Sequence, residues 1–307
     1  MLRPLSIIVA LCASPVLAQT TAPDATTDPV TAPSAPNVLT DIAPIHSLTA
    51  AVMEGVAIPS LLMQPGVDVH DLALRPSDAA MLTDADVIVW VGSDLSPWLT
   101  APLETLAPSA ATLTLSEVPG WTPQTTADGT TDPHAWLDPE VAIFWLRAIR
   151  DTLIATDPDN AVRYTDNTDT MIARLIALDA TLKTQLADVP SGSFIAPHDA
   201  FGYFEARFGV ASGGTISDAH DYAPGPAHVQ ELRDTLGDGT ISCVLSETGG
   251  ATDYAQILTE GTQARTAQID DVGISLTPGP LLYEQLLTQI ADTLTTCISG
   301  VKDGMSN

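Results

Sequence analysis

Between residues 157 and 190 the chain carries one long apolar stripe. Met171, Leu175, Leu178, Leu182 and Leu186 recur at steps of four, three, four and four, and side chains at that spacing share one face of an α-helix. Asp157-Pro158-Asp159-Asn160 supplies a start and Pro190-Ser191-Gly192 a stop. The spacing predicts a helix of roughly 25 residues, well above the usual length in globular domains, which suits a rigid connector between two lobes. Two shorter helices with a bend near residues 166–170 fit the same pattern.

Strands and helices alternate on both sides of this segment. Val38 to Ile45 reads as a first strand, followed by a helix over Ser47 to Met53 with Ser47 as its cap. Pro76-Ser77-Asp78 opens a short helix. The near-continuous apolar run from Asp86 to Gly92 fits a strand buried on both faces of a parallel sheet. Pro139 to Leu153 reads as a helix with proline in its first turn. Beyond the connector, strands are expected at Phe194 to Ala196 and Ile241 to Ser246. A closing helix is expected at Leu281 to Ile298, with Leu286, Ile290, Leu294 and Cys297 facing inward. The implied fold class is α/β: two lobes, each a mainly parallel sheet with flanking helices, joined by one long connector helix. The expected boundaries are 38–156, 157–190 and 191–307.

Residues 1–18 look like an address. Arg3 precedes the apolar run Leu5 to Leu11, and Val16-Leu17-Ala18 resembles a signal-peptidase site. The run is too short to cross a bilayer, which takes about 20 apolar residues. Residues 19–37 are rich in Thr, Ala, Pro and Asp and read as a flexible leader. Cleavage after Ala18 would place the mature chain outside the cytoplasm, in the periplasm, and remove Cys12. Cys243 and Cys297 would remain in an oxidising compartment, where a single disulfide is the simple outcome; two unpaired buried thiols are the alternative. With 38 acidic against 11 basic side chains and a net charge of -27, the chain would be repelled by a phosphate backbone, so no nucleic-acid partner is expected. Its 45% hydrophobic content is that of a folded protein.

Chemistry rests with six histidines. Three share a context: His46 in Pro44-Ile45-His46, His134 in Asp132-Pro133-His134 and His198 in Pro197-His198-Asp199. Each follows a proline, directly or one residue on, at an expected strand or loop end, where open α/β sheets gather ligands. They lie far apart in sequence, so only folding could unite them. By spacing alone, three structural histidines explain the pattern as well.

Taken together, four segments are specific. Pro44-Ile45-His46-Ser47-Leu48, the stretch from His70 to Asp78, Asp132-Pro133-His134-Ala135-Trp136-Leu137-Asp138-Pro139 and His198-Asp199-Ala200-Phe201-Gly202-Tyr203-Phe204 resemble those of the ZnuA-like zinc receptors of bacterial ABC metal importers, the cluster A-I solute-binding proteins. The resemblance covers about residues 38 to 298. It implies that His46, His134 and His198 are metal ligands, that Asp270 completes the site, and that Cys243 and Cys297 pair. Zn²⁺ is the implied ion, since three neutral imidazoles and one carboxylate suit tetrahedral zinc. Related manganese receptors carry a carboxylate where His198 stands. Zinc receptors of this type often have a long His-rich loop before the second histidine, but residues 120–131 contain no histidine. In this the chain is similar to the short-loop AztC-type branch, for which delivery by a periplasmic zinc metallochaperone is plausible.

The resemblance further implies a monomeric receptor, not an enzyme, that passes zinc to a membrane permease with its ATPase. A manganese or iron receptor of the same fold is the alternative, and an adhesion role is compatible with that fold. A zinc hydrolase would need an open coordination position, and the chain has no His-Glu-x-x-His motif. His70 and His220 are candidate auxiliary metal contacts.

Overall fold

The computed structural model describes residues 35–64, 73–126, 129–218, 222–248 and 254–300. The expected signal peptide, nearly all of the leader, His70 and His220 lie outside the described residues.

The first lobe runs β1 (Val38–Thr40), α1 (Ala43–Val52), β2 (Ser60–Leu61), α2 (Pro76–Asp84), β3 (Val87–Trp90), α3 (Thr100–Leu106), β4 (Ala111–Thr114) and α4 (Pro139–Thr156). Its sheet has the order β2-β1-β3-β4, with every pairing parallel. Next comes α5 (Ala161–Leu186). The second lobe contains β5 (Phe194–Ile195), α6 (Gly202–Phe208), α7 (Pro226–Leu236), β6 (Cys243–Glu247), α8 (Tyr254–Thr259), β7 (Arg265–Ile269) and α9 (Leu282–Ser299). Its parallel sheet has the order β5-β6-β7. Among the described residues no helix is long and apolar enough to cross a membrane.

Strand β3 shows why the sheet is covered on both faces. Its side chains alternate by face. Val87 and Val89 join the large core with α1 and α4, while Ile88 and Trp90 meet Leu82, Leu99 and Leu103 of the α2–α3 layer. Each fully buried aliphatic side chain contributes about 1.5–3 kcal/mol. Gly92 then ends the run with φ 143, and a Cβ there would lie 2.4 Å from Ser116 Oγ. In β6, Cys243 and Leu245 likewise join the large core, while Val244 packs with Ile195, Leu232 and Leu258.

Helix α5 is continuous over 26 residues, with no break at 166–170. Tyr164, Met171, Leu175, Leu182 and Leu186 are buried along it, whereas Leu178 is only partly covered. The stripe packs on α1, α4 and α9, so the connector lies across both lobes. Salt bridges from Arg174 to Glu284 of α9 and from Arg207 to Asp179 of α5 add to this seam. The disulfide joins Cys243 at the start of β6 to Cys297 on α9, across a sequence separation of 54.

The start of the chain departs from expectation. The first strand stops at Thr40, and α1 already begins at Ala43 with proline in its first positions. The backbone N–H of His46 donates to the Ile42 carbonyl at 2.9 Å, an early helical bond. His46 therefore sits in the first turn of a helix, because Pro44 favours a helix start. Ser47 does not cap α1; its hydroxyl accepts a long-range bond from the first turn of α9, described below. Strands β2, β4 and β7 were not expected from the sequence.

Candidate metal centre

Four polar side chains stand at or just beyond the carboxyl ends of parallel strands. His46 lies in the first turn of α1 after β1. His198 follows β5, Glu247 is the last residue of β6 and Asp271 lies just beyond β7. Such strand ends are where α/β folds collect ligands. His134 belongs with His46 to the first lobe and sits in the turn before α4, whose N-terminus is capped by Asp138 accepting from the Glu140 backbone N–H.

The structure brings His134, His198 and Asp271 together. All three are buried, and one ligand atom from each lies within 4.8 Å of the others. The two imidazoles meet edge-on with centroids 5.4 Å apart. His198 Nε2 is 3.8 Å from Asp271 Oδ2, and its Nδ1 is 3.9 Å from Glu247 Oε1. Donors about 2 Å from a tetrahedral zinc are about 3.3 Å apart, so contraction by at most about 1.5 Å would close the group on an ion.

Hydrogen bonds prepare two of the imidazoles. Asp132 Oδ1 accepts both the His134 backbone N–H at 2.9 Å and the ring Nδ1–H at 2.8 Å. That leaves Nε2 of the neutral ring as the lone-pair donor, the usual outer-sphere arrangement of a metal-bound histidine. In His46, Nε2 faces the Pro59 carbonyl at 3.0 Å. A carbonyl can only accept, so Nε2 carries the proton and Nδ1 the lone pair. This Nδ1 and His198 Nδ1 are buried and make no hydrogen bond, a costly state for a polar atom with nothing to bind. Burial lowers the His46 pKa, keeping the ring in the neutral form that a metal requires. Burial raises the Asp132 carboxyl to about 6, against the His134 backbone bond and the nearby His198 that lower it.

Asp270 holds the loop after β7 together. Its Oδ1 accepts backbone N–H groups of Val272, Gly273 and Ile274, and its Oδ2 accepts the N–H and hydroxyl of Ser275. Both oxygens are used in folding the loop after β7. The carboxylate of the close group is its neighbour Asp271. His46 is also outside that group, although it is buried in the first turn of α1. His228 is occupied structurally, its Nε2 bonding the Thr215 carbonyl at 2.8 Å.

Sequence reasoning missed Asp132, Trp136, Glu247, Asp271 and Tyr283. Asp132 was legible in principle, since Asp-Pro-His places a carboxylate two residues from an imidazole. Trp136 lies in the same segment, whereas Glu247, Asp271 and Tyr283 are far from it in sequence and left no local signal.

The family model described as "ZnuA: Zinc-uptake complex component A periplasmic" matches residues 38–297. The high-affinity zinc uptake system protein ZnuA of Brucella suis biovar 1 is 31% identical over 305 residues, covering 85% of this chain and 91% of that protein. A zinc-bound ZnuA deletion mutant superposes with a TM-score of 0.77 at 20% identity, covering 86% of this chain and 98% of the other. The periplasmic zinc binding protein TroA from Treponema pallidum gives 0.76 at 21% identity, with 86% and 99% covered. Both structures share the two-lobed fold.

Proposed function

The chain belongs to the ZnuA family of periplasmic zinc-uptake components, and on that premise we propose that it captures Zn²⁺ between its lobes and delivers it to the permease of an ABC importer powered by an ATPase. Its place of action is the periplasm. The observation that carries this reading is the convergence of His134, His198 and Asp271 in a buried group.

We assign His46, His134, His198 and Asp271 as the ligands. Three nitrogens and one carboxylate favour zinc over the harder Mn²⁺, which prefers oxygen donors. Zinc and Asp271 together leave one net positive charge, and the Asp132 carboxylate behind His134 offsets it inside a site of low polarity. With four protein donors no coordination position is left for a reactive water, so the set suits carriage and not hydrolysis. The segment before His134 has no histidine and closes on itself through a bridge between Thr125 and Thr131. It offers no imidazole arm for gathering ions, which favours delivery by a periplasmic partner protein.

Elemental analysis of the purified mature protein tests the reading. One zinc per chain is expected, removable by chelation and absent from H134A and H198A. One tightly held zinc in both variants would refute the assignment.

A further inference from the structure

Two buried side chains join the ligand-bearing segments to one another. Trp136, two residues after His134, donates its indole N–H to the Asp271 carbonyl at 2.7 Å. Tyr283 on α9 donates its hydroxyl to the Trp136 carbonyl at 2.6 Å. The Tyr283 backbone N–H donates to Ser47 Oγ at 2.9 Å, on the residue after His46. These bonds span 135, 147 and 236 positions of the chain, and Trp136, Tyr283 and Ser47 are all fully buried. We propose that Trp136 and Tyr283 form a latch between the lobes that sets the spacing of the metal ligands, making both positioning residues for zinc capture.

The geometry explains how the latch acts. The Asp271 backbone is held at its carbonyl by Trp136, while the amides that follow it are gathered by Asp270. Its side chain is thereby directed into the cleft without any bond of its own to the latch. The Trp136 ring also lies 5.1 Å from the His134 ring, limiting how that imidazole can tilt. Burial raises the Tyr283 phenol well above its ordinary pKa, so the hydroxyl keeps the proton it donates. A buried bond between distant segments has no water to replace it when broken, so loss of the donor loosens the spacing itself.

This inference rests on the zinc-receptor reading. The test measures zinc affinity, zinc dissociation rate and the visible spectrum of the Co²⁺-loaded protein for wild type, Y283F and Y164F. Tyr164 supplies the control, because its hydroxyl donates to Asp157 Oδ2 at 2.8 Å in an equally buried setting on α5. Y283F should bind zinc about tenfold more weakly, as outer-sphere changes at metal sites do, release it faster and shift the Co²⁺ bands. Y164F should leave all three unchanged. A Y283F protein with wild-type affinity and spectrum overturns the latch alone, whereas a wild type that binds no zinc overturns the receptor reading beneath it. If Y283F does not fold, S47A decides by the same measurements: weaker binding with shifted bands supports the latch, and wild-type behaviour overturns it.

Discussion

On the side of the four-stranded sheet the imidazoles are already tied down. His134 is bonded to Asp132 at 2.8 Å and His46 to Pro59 at 3.0 Å. On the side of the three-stranded sheet, His198 faces Asp271 and Glu247 at 3.8 and 3.9 Å, beyond hydrogen-bond reach. One half of the cleft thus has its tautomers chosen before any ion arrives. The other half has its groups near one another but not bonded to each other, and in the proposed reading an ion would supply the attraction that draws them in. A receptor that must also release its cargo benefits from this asymmetry, since only one half needs to loosen.

The largest effect expected from breaking this comparison lies at the loop after β7. D271N should weaken zinc binding by about 10²-fold, roughly a fifth of a typical zinc-site binding free energy, with little change in the melting of the metal-free protein. D270N should do the reverse, costing about 1–3 kcal/mol of stability through its lost loop bonds with a smaller loss of affinity. Chelator competition and thermal unfolding of both variants separate the two roles; swapped results would return the ligand to Asp270.

The asymmetry itself is sharpened by its two outer carboxylates. D132N should weaken zinc binding by about 10- to 100-fold, because the negative charge that strengthens a formed bond to His134 is lost. E247Q should change it by less than about threefold, because a separation of 3.9 Å from His198 leaves little to lose. Equal effects in the same competition assay would mean that the ion closes the second half as tightly as the first.

The smallest effect on binding is expected at Asp41, which organises the loop after β1 as Asp270 does the one after β7. Asp41 accepts the Ile42 and Val91 backbone N–H groups, and burial raises its pKa from 3.8 to about 7. Between those values the native state holds a proton that the unfolded chain has released. This contribution to stability is therefore complete below pH 3.8 and is lost as pH rises through about 7. Denaturant titrations of metal-free D41N should show a flatter pH dependence across that window, with zinc affinity near wild type. An unchanged slope would show that Asp41 does not carry it.

Much of the architecture was legible because its cause is local. The step pattern from Met171 to Leu186 requires a helix wherever it is placed, and the run from Val87 to Val91 requires a strand covered on both faces. The inward face of the last helix also placed Cys297 where it meets Cys243. The extent of the first strand was misread because Pro44 is compatible with a strand end and a helix start alike; packing of α1 on α4, α5 and α9 settled it.

The chain order alone determined the two lobes, the connector and the histidines worth watching, since periodicity and proline punctuation act over a few residues. Only the tertiary structure decided which of two adjacent aspartates joins His134 and His198, which nitrogen of the His46 and His134 rings keeps its lone pair, and that Trp136 and Tyr283 tie the segments together. Neighbouring side chains point in different directions, and the direction each takes depends on partners that folding supplies, from Asp132 beside His134 to Trp136, 135 positions from Asp271.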